Sequence, residues 1–125
     1  MTENEISYLI RGAIYKVYNN LGPGLYEVVY ILALKHELEK LNLDVNLEVG
    51  VPFFYETQKL DLGYRMDILV ENKVVVEVKS VENLAEVHHK QVLTYLRLAN
   101  LKLGILVNFN VQEINKGVFR KVNNL

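Results

Sequence analysis

The segment Arg65–Lys79, RMDILVENKVVVEVK, constrains the fold more than any other part of the chain. It predicts two apolar strands joined by a short polar turn over Glu71–Lys73. Strands this apolar usually lie inside a sheet, yet this pair carries Asp67, Glu77 and Lys79. An unpaired charge is costly to bury. The segment therefore predicts a sheet in which two acids and a lysine need a compensating partner.

The composition indicates one soluble globular domain over residues 1–125, with 50% hydrophobic and 23% charged residues. The net charge of −1 gives no global positive field, so nucleic-acid binding would need a local patch or a bound cation. The absence of cysteine excludes disulfides and thiolate metal sites. The sequence shows no signal-peptide pattern and no apolar run near the ~18–20 residues of a membrane span. We therefore expect a cytoplasmic protein with no membrane partner.

The hydrophobic periodicity predicts an α/β (α+β) fold with a central mixed β-sheet flanked by helices. Helices are predicted over residues 6–21, 25–41 and 83–99. Strands are predicted over residues 45–55, 63–70, 74–79, 103–108 and 117–122, with a turn over residues 56–59. Together they give the order ααβββαββ. Gly22 and Asn100 are expected in the left-handed conformation after helices, and Asn83 with Glu86 resembles a capping box.

Glu27 is an acid whose position in its predicted helix needs an explanation. The apolar stripe of that helix consists of Tyr30, Ile31, Leu34, Leu38 and Leu41. At about 100° per residue, Glu27 falls in the middle of this stripe. The helix dipole explains an acid in the first turn but does not explain an acid on the buried face. Glu27 is therefore a candidate functional residue.

The length of the predicted turn decides whether the two strand acids face each other. With a three-residue turn, Val70 pairs with Val74, and Asp67 then lies opposite Glu77. Opposed Cβ atoms in such a pair lie ~4.5–5.5 Å apart, a distance at which each carboxylate raises the pKa of the other. A two-residue turn would place the acids on opposite faces of the sheet.

Two interpretations of the opposed acids remain open from the residues alone. In the first, Asp67 and Glu77 join Arg65 and Lys79, also opposed, in an exposed ladder of surface charges. In the second, a divalent cation such as Mg²⁺ lies between the two carboxylates. Lys79 shares a strand face with Glu77, so it would then orient an attacking water or stabilise charge on a phosphoryl group.

The third predicted helix carries a polar row on one face. His88, Gln91 and Tyr95 follow the i, i+3, i+7 spacing. This row is either an ordinary solvent-facing surface or a set of contacts to phosphate and to the acids. A zinc site at His88 and His89 is excluded because adjacent helical side chains point ~100° apart.

Four motifs together resemble the PD-(D/E)XK nuclease superfamily. Asp67 is followed by Glu77-Val78-Lys79, with Met66 where the superfamily name has proline. Gln91-x-x-x-Tyr95 resembles the fourth motif of the RecB-like and phage-exonuclease-like branch. GLYEVVY, residues 24–30, is similar to the G-x-x-E-x-x-Y motif of the GxxExxY proteins, a bacterial and archaeal family of that superfamily. The similarity extends over nearly the whole chain.

The resemblance implies a restriction-endonuclease-like core and a metal-dependent nuclease of weak sequence specificity, with DNA rather than RNA as partner. It implies that Asp67 and Glu77 ligate Mg²⁺ or Mn²⁺ and that Lys79 is the catalytic lysine. Glu27 would complete the metal site, directly or through water. The remaining supporting positions, which would contact the substrate or pack around the site, are Gln91, Tyr95, Tyr30 and His88.

A binding module that retains the metal site is the alternative function. Such a protein would act as a nuclease subunit or nucleic-acid sensor, with a second copy or another protein as partner. Near-neutral charge favours this alternative, because phosphate contacts normally need positive surface. Local cations that would meet phosphate, unless they are merely scattered solvated charges, are Lys90, Arg97, Lys116, Arg120 and Lys121.

Overall fold

The computed structural model describes residues 1–125, which form three α-helices, seven β-strands and one short 3₁₀ helix. The helices are α1 (Glu3–Leu21), α2 (Glu27–Lys40) and α3 (Glu86–Ala99). The strands are β1 (Val45–Gly50), β2 (Phe53–Tyr55), β3 (Gln58–Leu60), β4 (Arg65–Val70), β5 (Val74–Lys79), β6 (Leu103–Asn108) and β7 (Val118–Val122), and the 3₁₀ helix is Ile114–Lys116. None of the helices combines the length and hydropathy needed to span a membrane.

Five strands form one mixed sheet in the order β1-β4-β5-β6-β7. Only β5 and β6 are parallel, and α3 connects them; the other neighbours are antiparallel. This arrangement confirms the predicted mixed sheet between helices and the order ααβββαββ of its elements. The segment over residues 45–55 is extended, as predicted, but it is divided after Gly50, and its second part, β2, pairs with β3 in a separate hairpin that was not predicted. The predicted turn shortens to Glu56-Thr57, with a positive φ of 56° at Glu56.

The two faces of the sheet are covered by different helices. On one side, the α1/α2 face, a core of 20 buried residues includes Ile68, Val76 and Val78. On the other side, the α3 face, a core of six buried residues includes Leu69 and Val75. Side chains alternate along a strand, so residues two positions apart share a face. Asp67, two residues before Leu69, and Glu77, two residues after Val75, therefore also point to the α3 face.

Helix α1 ends at Leu21, as predicted, but its start and the conformation of Gly22 differ from the predictions. The helix begins at Glu3, earlier than predicted, because Thr2 and Glu5 form a capping box: the Glu5 amide donates to Thr2 Oγ1 at 3.2 Å and the Thr2 amide donates to Glu5 Oε1 at 3.1 Å. After the helix, Gly22 has φ of 70° and ψ of −176°. This backbone needs glycine but is not the left-handed helical conformation that we expected.

The start of α3 also corrects the sequence interpretation. The predicted capping box of Asn83 and Glu86 is wrong, because α3 begins at Glu86 with Ala85 as its N-cap residue. His88 supplies the cap: its Nδ1 accepts a hydrogen bond of 3.0 Å from the Ala85 amide. At the other end, Asn100 adopts the predicted left-handed conformation, with φ of 55° and ψ of 46°.

A close approach between α3 and β6 fixes the position of the helix on its face. A Cβ atom at Gly104 would lie 2.7 Å from Val92 Cγ1, well inside normal contact distance. Only glycine therefore allows α3 to pack this closely. This contact holds α3 against β6, the neighbour of β5 in the sheet.

Candidate active site

The turn between β4 and β5 has the three residues that the acid pairing requires. Val70 pairs with Val74, as predicted, and the Lys73 amide donates to the Val70 carbonyl at 3.0 Å. The first two turn residues both have φ of 54°. Positive φ at both central positions is typical of the tight turns that match strand twist. The register then brings Asp67 and Glu77 to the same level of the sheet.

Where β4 and β5 separate, the carboxylates of Asp67 and Glu77 replace backbone carbonyls as the acceptors of hydrogen bonds between the two strands. The regular ladder between these strands ends at Ile68 and Val76. Beyond it, the Asp67 amide donates to Glu77 Oε2 at 2.9 Å, and the Val78 amide donates to Asp67 Oδ2 at 2.9 Å. Each carboxylate is thus held by the strand that carries the other. We call this arrangement the carboxylate pair.

Neither acid of the carboxylate pair has an ion-pair partner, so burial favours a proton on Glu77. Glu77 is only 3% exposed, and burial, reinforced by the hydrogen bonding and charge of Asp67, raises its pKa to about 9. The Lys79 ammonium opposes this shift and lowers the pKa of Glu77. Hard carboxylate oxygens near each other are the donors that Mg²⁺ and Mn²⁺ prefer. The residues therefore fit a divalent cation, whose charge would replace the proton.

Arg65 does not take the position that the surface-ladder interpretation requires. It was expected opposite Lys79, but the β4–β5 ladder ends at Ile68 and Val76 and does not extend to Arg65 and Lys79. Its guanidinium donates to the Tyr64 carbonyl at 3.0 Å and lies 3.6 Å from Asp61 Oδ1. With Arg65 paired elsewhere and Glu77 buried, the ladder of surface charges is wrong. Lys79, half-buried, takes part in no ion pair.

Helix α3 contributes Tyr95 to the surroundings of the carboxylate pair. Tyr95 is 3% exposed, and burial together with the negative charges of Glu77 and Asp67 raises its pKa to about 12. Its ring lies 5.9 Å from that of Tyr64, in a tilted contact. Gln91 lies beside both tyrosines in a pocket of about 220 Å³. Of the predicted polar row, Tyr95 therefore lies near the acids, and Gln91 lies beside Tyr95.

Tyr30 holds the loop that leads into α2. Its hydroxyl donates to the Gly22 carbonyl at 2.6 Å and accepts from the Leu25 amide at 3.1 Å. Its ring is fully buried and stacks on Phe109, with centroids 4.2 Å apart and an interplanar angle of 3°. Tyr30 therefore fixes the loop before α2 and lies one turn after Glu27, the first residue of that helix.

Ser80 and Asn108 support the site but were not identified from the sequence. Ser80 follows Lys79, and its hydroxyl donates to the Leu25 carbonyl at 2.6 Å, joining the end of β5 to the loop before α2. Asn108 is 3% exposed; its Oδ1 accepts from the Val81 amide at 3.1 Å and its Nδ2 donates to the Val81 carbonyl at 2.9 Å. The signal for Asn108 was a polar residue at the end of an apolar strand.

The structure brings some of the candidate site residues together and leaves others apart. Asp67 and Glu77 form the carboxylate pair, and Tyr95 lies near it. Glu27 is half-buried at the first residue of α2. No group of three or more His, Cys, Asp or Glu side chains is close enough to hold one metal ion. His88 is occupied in capping α3.

Comparison with known protein families identifies the superfamily of this chain. A sequence profile described as PD-(D/E)XK nuclease superfamily matches residues 4–121. The chain belongs to this superfamily. Comparisons with curated proteins and with solved structures gave no significant match. In this member of the PD-(D/E)XK superfamily, the acids and lysine of the D…ExK motif lie on β4 and β5, on the α3 face.

Proposed function

We propose that this protein is a metal-dependent nuclease that hydrolyses phosphodiester bonds with weak sequence specificity. The carboxylate pair is the observation that carries the proposal, because each acid is held by the strand of the other and Glu77 keeps a proton that a cation would displace. Membership of a superfamily of nucleases supports the same chemistry. We also propose that the chain is a GxxExxY protein, on the motif at residues 24–30.

Asp67 and Glu77 would hold Mg²⁺ or Mn²⁺, with Glu27 contributing through water from the start of α2. Such an ion lowers the pKa of bound water and stabilises charge on a phosphoryl oxygen. Lys79 would orient the attacking water and place its ammonium beside the developing negative charge.

Tyr95 and Gln91 would bind the substrate backbone from α3. Because its pKa is raised to about 12, the Tyr95 phenol keeps its proton at neutral pH and can donate to a phosphate oxygen. The Gln91 amide offers a second neutral donor in the same pocket. Phosphate contacts of this kind position a nucleic acid but carry no sequence information, which is consistent with weak specificity. Following the superfamily, we propose DNA rather than RNA as the substrate.

A cleavage panel tests the proposal. Single- and double-stranded DNA and RNA are incubated with the protein and Mn²⁺, beside Lys79→Ala and a control, Lys35→Ala, which removes an exposed lysine of α2. We expect cleavage by the wild type and by the control, and at least a hundredfold loss in Lys79→Ala. Cleavage that survives Lys79→Ala would contradict the proposed mechanism. Mn²⁺ binding without cleavage of any substrate would favour the binding-module alternative instead.

A further inference from the structure

The segment that connects β1 to β4 forms an excursion from the five-stranded sheet, and this excursion rejoins the sheet beside the carboxylate pair. The Val51 amide donates to the Tyr64 carbonyl at 3.0 Å and closes the base of this excursion, which contains the β2–β3 hairpin. Because β4 and β5 are antiparallel, the excursion joins β4 at the edge where β5 ends. It exposes three aromatic side chains there, with fractional exposures of 61%, 65% and 43% for Phe54, Tyr55 and Tyr64.

The cations of α3 are free of acidic partners. The five ion pairs of the protein use Lys16, Lys35, Lys40, Arg65 and Lys116. Lys90 and Arg97 are both exposed, and neither forms an ion pair. The one acid of α3, Glu86, lies in its first turn. Seven residues separate the two cations, which places them on one side of the helix about 10 Å apart along its axis.

Two adjoining pockets connect the aromatic excursion with these cations. The pocket of about 220 Å³ contains Tyr64 and Tyr95 together with Lys90 and Thr94. A second pocket of about 350 Å³ contains Lys90 and Thr94 again, and extends to Arg97. Lys90 and Thr94 thus belong to the walls of both pockets, and we call the surface that the two pockets form along α3 the α3 groove. It begins at Tyr95, near the carboxylate pair, and ends at Arg97.

We propose that the α3 groove binds an unpaired strand of nucleic acid, with a base stacked on the exposed side of Tyr64 and backbone phosphates at Lys90 and Arg97. This proposal rests on the proposed nuclease function and names its substrate class. A base stacks on an aromatic side chain only when its own face is uncovered, as in a single strand. In a duplex, neighbouring pairs cover both faces of each base. Unpaired cations beside an aromatic platform are the combination that single-strand binding uses.

Binding in the absence of divalent metal tests the α3 groove separately from cleavage. Fluorescence anisotropy is measured in EDTA with a labelled oligothymidylate and with a duplex of the same length. We expect the wild type to bind the single strand at least ten times more tightly than the duplex. Tyr64→Leu should weaken single-strand binding roughly tenfold, whereas Tyr64→Phe, which retains the ring, should bind as the wild type does.

The cations are tested by the double variant Lys90→Ala/Arg97→Ala. We expect roughly tenfold weaker binding and a salt dependence whose logarithmic slope falls by about 1.4, since two single-strand phosphate contacts are lost. Two matched controls remove similar groups from the α1/α2 face: Tyr26→Leu removes an exposed tyrosine, and Arg11→Ala/Lys35→Ala removes two helical cations. Both controls should bind the single strand as the wild type does, and circular dichroism verifies that every variant is folded.

Equal binding of the duplex, or wild-type binding by Tyr64→Leu, would overturn the inference even if Lys79-dependent cleavage is observed. Binding that is insensitive to salt and to the loss of both cations would indicate a protein-docking surface and would also overturn it. Single-strand binding with the expected losses, but without cleavage in Mn²⁺, would support the α3 groove while contradicting the proposed nuclease. The two proposals therefore fail by different results.

Discussion

The two faces of the sheet use the same strands for different purposes. On the α1/α2 face, β5 contributes Val76 and Val78 to a core of 20 buried residues. On the α3 face, the same strand contributes Val75 to a core of six, followed by Glu77 and Lys79. One face is therefore a continuous apolar layer, and the other contains acids, a lysine and a tyrosine beside a shallow groove.

This difference shows how a small protein accommodates uncompensated acids. Burying Glu77 beside Asp67 costs free energy in the metal-free state, because desolvation and repulsion both disfavour its charged form. The apolar layer on the opposite side holds β4 and β5 in place regardless of the charge on the α3 face. The α1/α2 face should accordingly determine stability, and the α3 face should determine metal and substrate binding.

The largest effect on stability is expected on the α1/α2 face. Leu34 of α2 is completely buried in its core. Leu34→Ala should lower the free energy of unfolding by about 3–5 kcal/mol through the lost burial and the cavity it leaves. Chemical denaturation measures this loss. In the folded fraction, the affinity for Mn²⁺ should be unchanged, and a weaker affinity would show that the two faces are not separate.

A smaller effect of opposite sign is expected from Glu77→Gln on the α3 face. The glutamine retains an oxygen to accept from the Asp67 amide but cannot ionise. Because folding raises the pKa of Glu77 from 4.5 to about 9, the folded protein holds a proton that the unfolded chain releases. Metal-free stability should therefore fall with rising pH between these values, by up to about 1.4 kcal/mol per pH unit.

The comparison of Glu77→Gln with the wild type isolates this dependence. Burial lowers the pKa of His89, so His89 makes stability rise with pH near its ordinary value of 6.5, equally in both proteins. Denaturation in EDTA at about pH 6 and pH 8 should show the variant gaining stability relative to the wild type as pH rises. Glu48→Gln, which removes an exposed acid of β1 that forms no ion pair, is the control and should not change. A constant difference at both pH values would refute the raised pKa.

The smallest effect is expected from Tyr30→Phe, which tests whether the Tyr30 hydroxyl holds the loop before α2. The variant keeps the stacking on Phe109 but loses the hydroxyl that binds Gly22 and Leu25. We expect a loss of about 1–2 kcal/mol and faster hydrogen exchange at the Leu25 amide. Tyr26→Phe, at a position that is 85% exposed, is the matched control and should be silent. Unchanged exchange at Leu25 would contradict a loop-holding role for Tyr30.

Periodicity and turn length were sufficient to predict the strands that carry the acids. The alternation of side chains along β5 predicted which face of the sheet Glu77 occupies. The three-residue turn predicted the strand register that places Glu77 opposite Asp67. The hydrogen bonds from backbone amides to the two carboxylates were not predictable, because they depend on where β4 and β5 separate. The same separation explains why the β4–β5 ladder does not extend to Arg65 and Lys79.

The short hairpin and the polar supports were missed for different physical reasons. Strands β2 and β3 have only three residues each, too few for a periodic signal, and the turn at Glu56 uses a positive φ without glycine. Ser80 and Asn108 act through hydrogen bonds to backbone groups 55 and 27 residues away along the chain, and these partners cannot be read from the sequence. The position of Glu27 relative to the acids likewise depends on the packing of α2.

Calorimetric titration of metal-free protein with Mn²⁺ at neutral pH tests most directly whether the carboxylate pair holds a cation. Because the pKa of Glu77 is raised to about 9, binding should displace about one proton, detected as a dependence of the heat on buffer ionisation enthalpy. Glu77→Gln should abolish the binding and the proton release, and Glu86→Gln should retain both. Binding that persists in Glu77→Gln, or no Mn²⁺ binding by the wild type, would contradict the central claim.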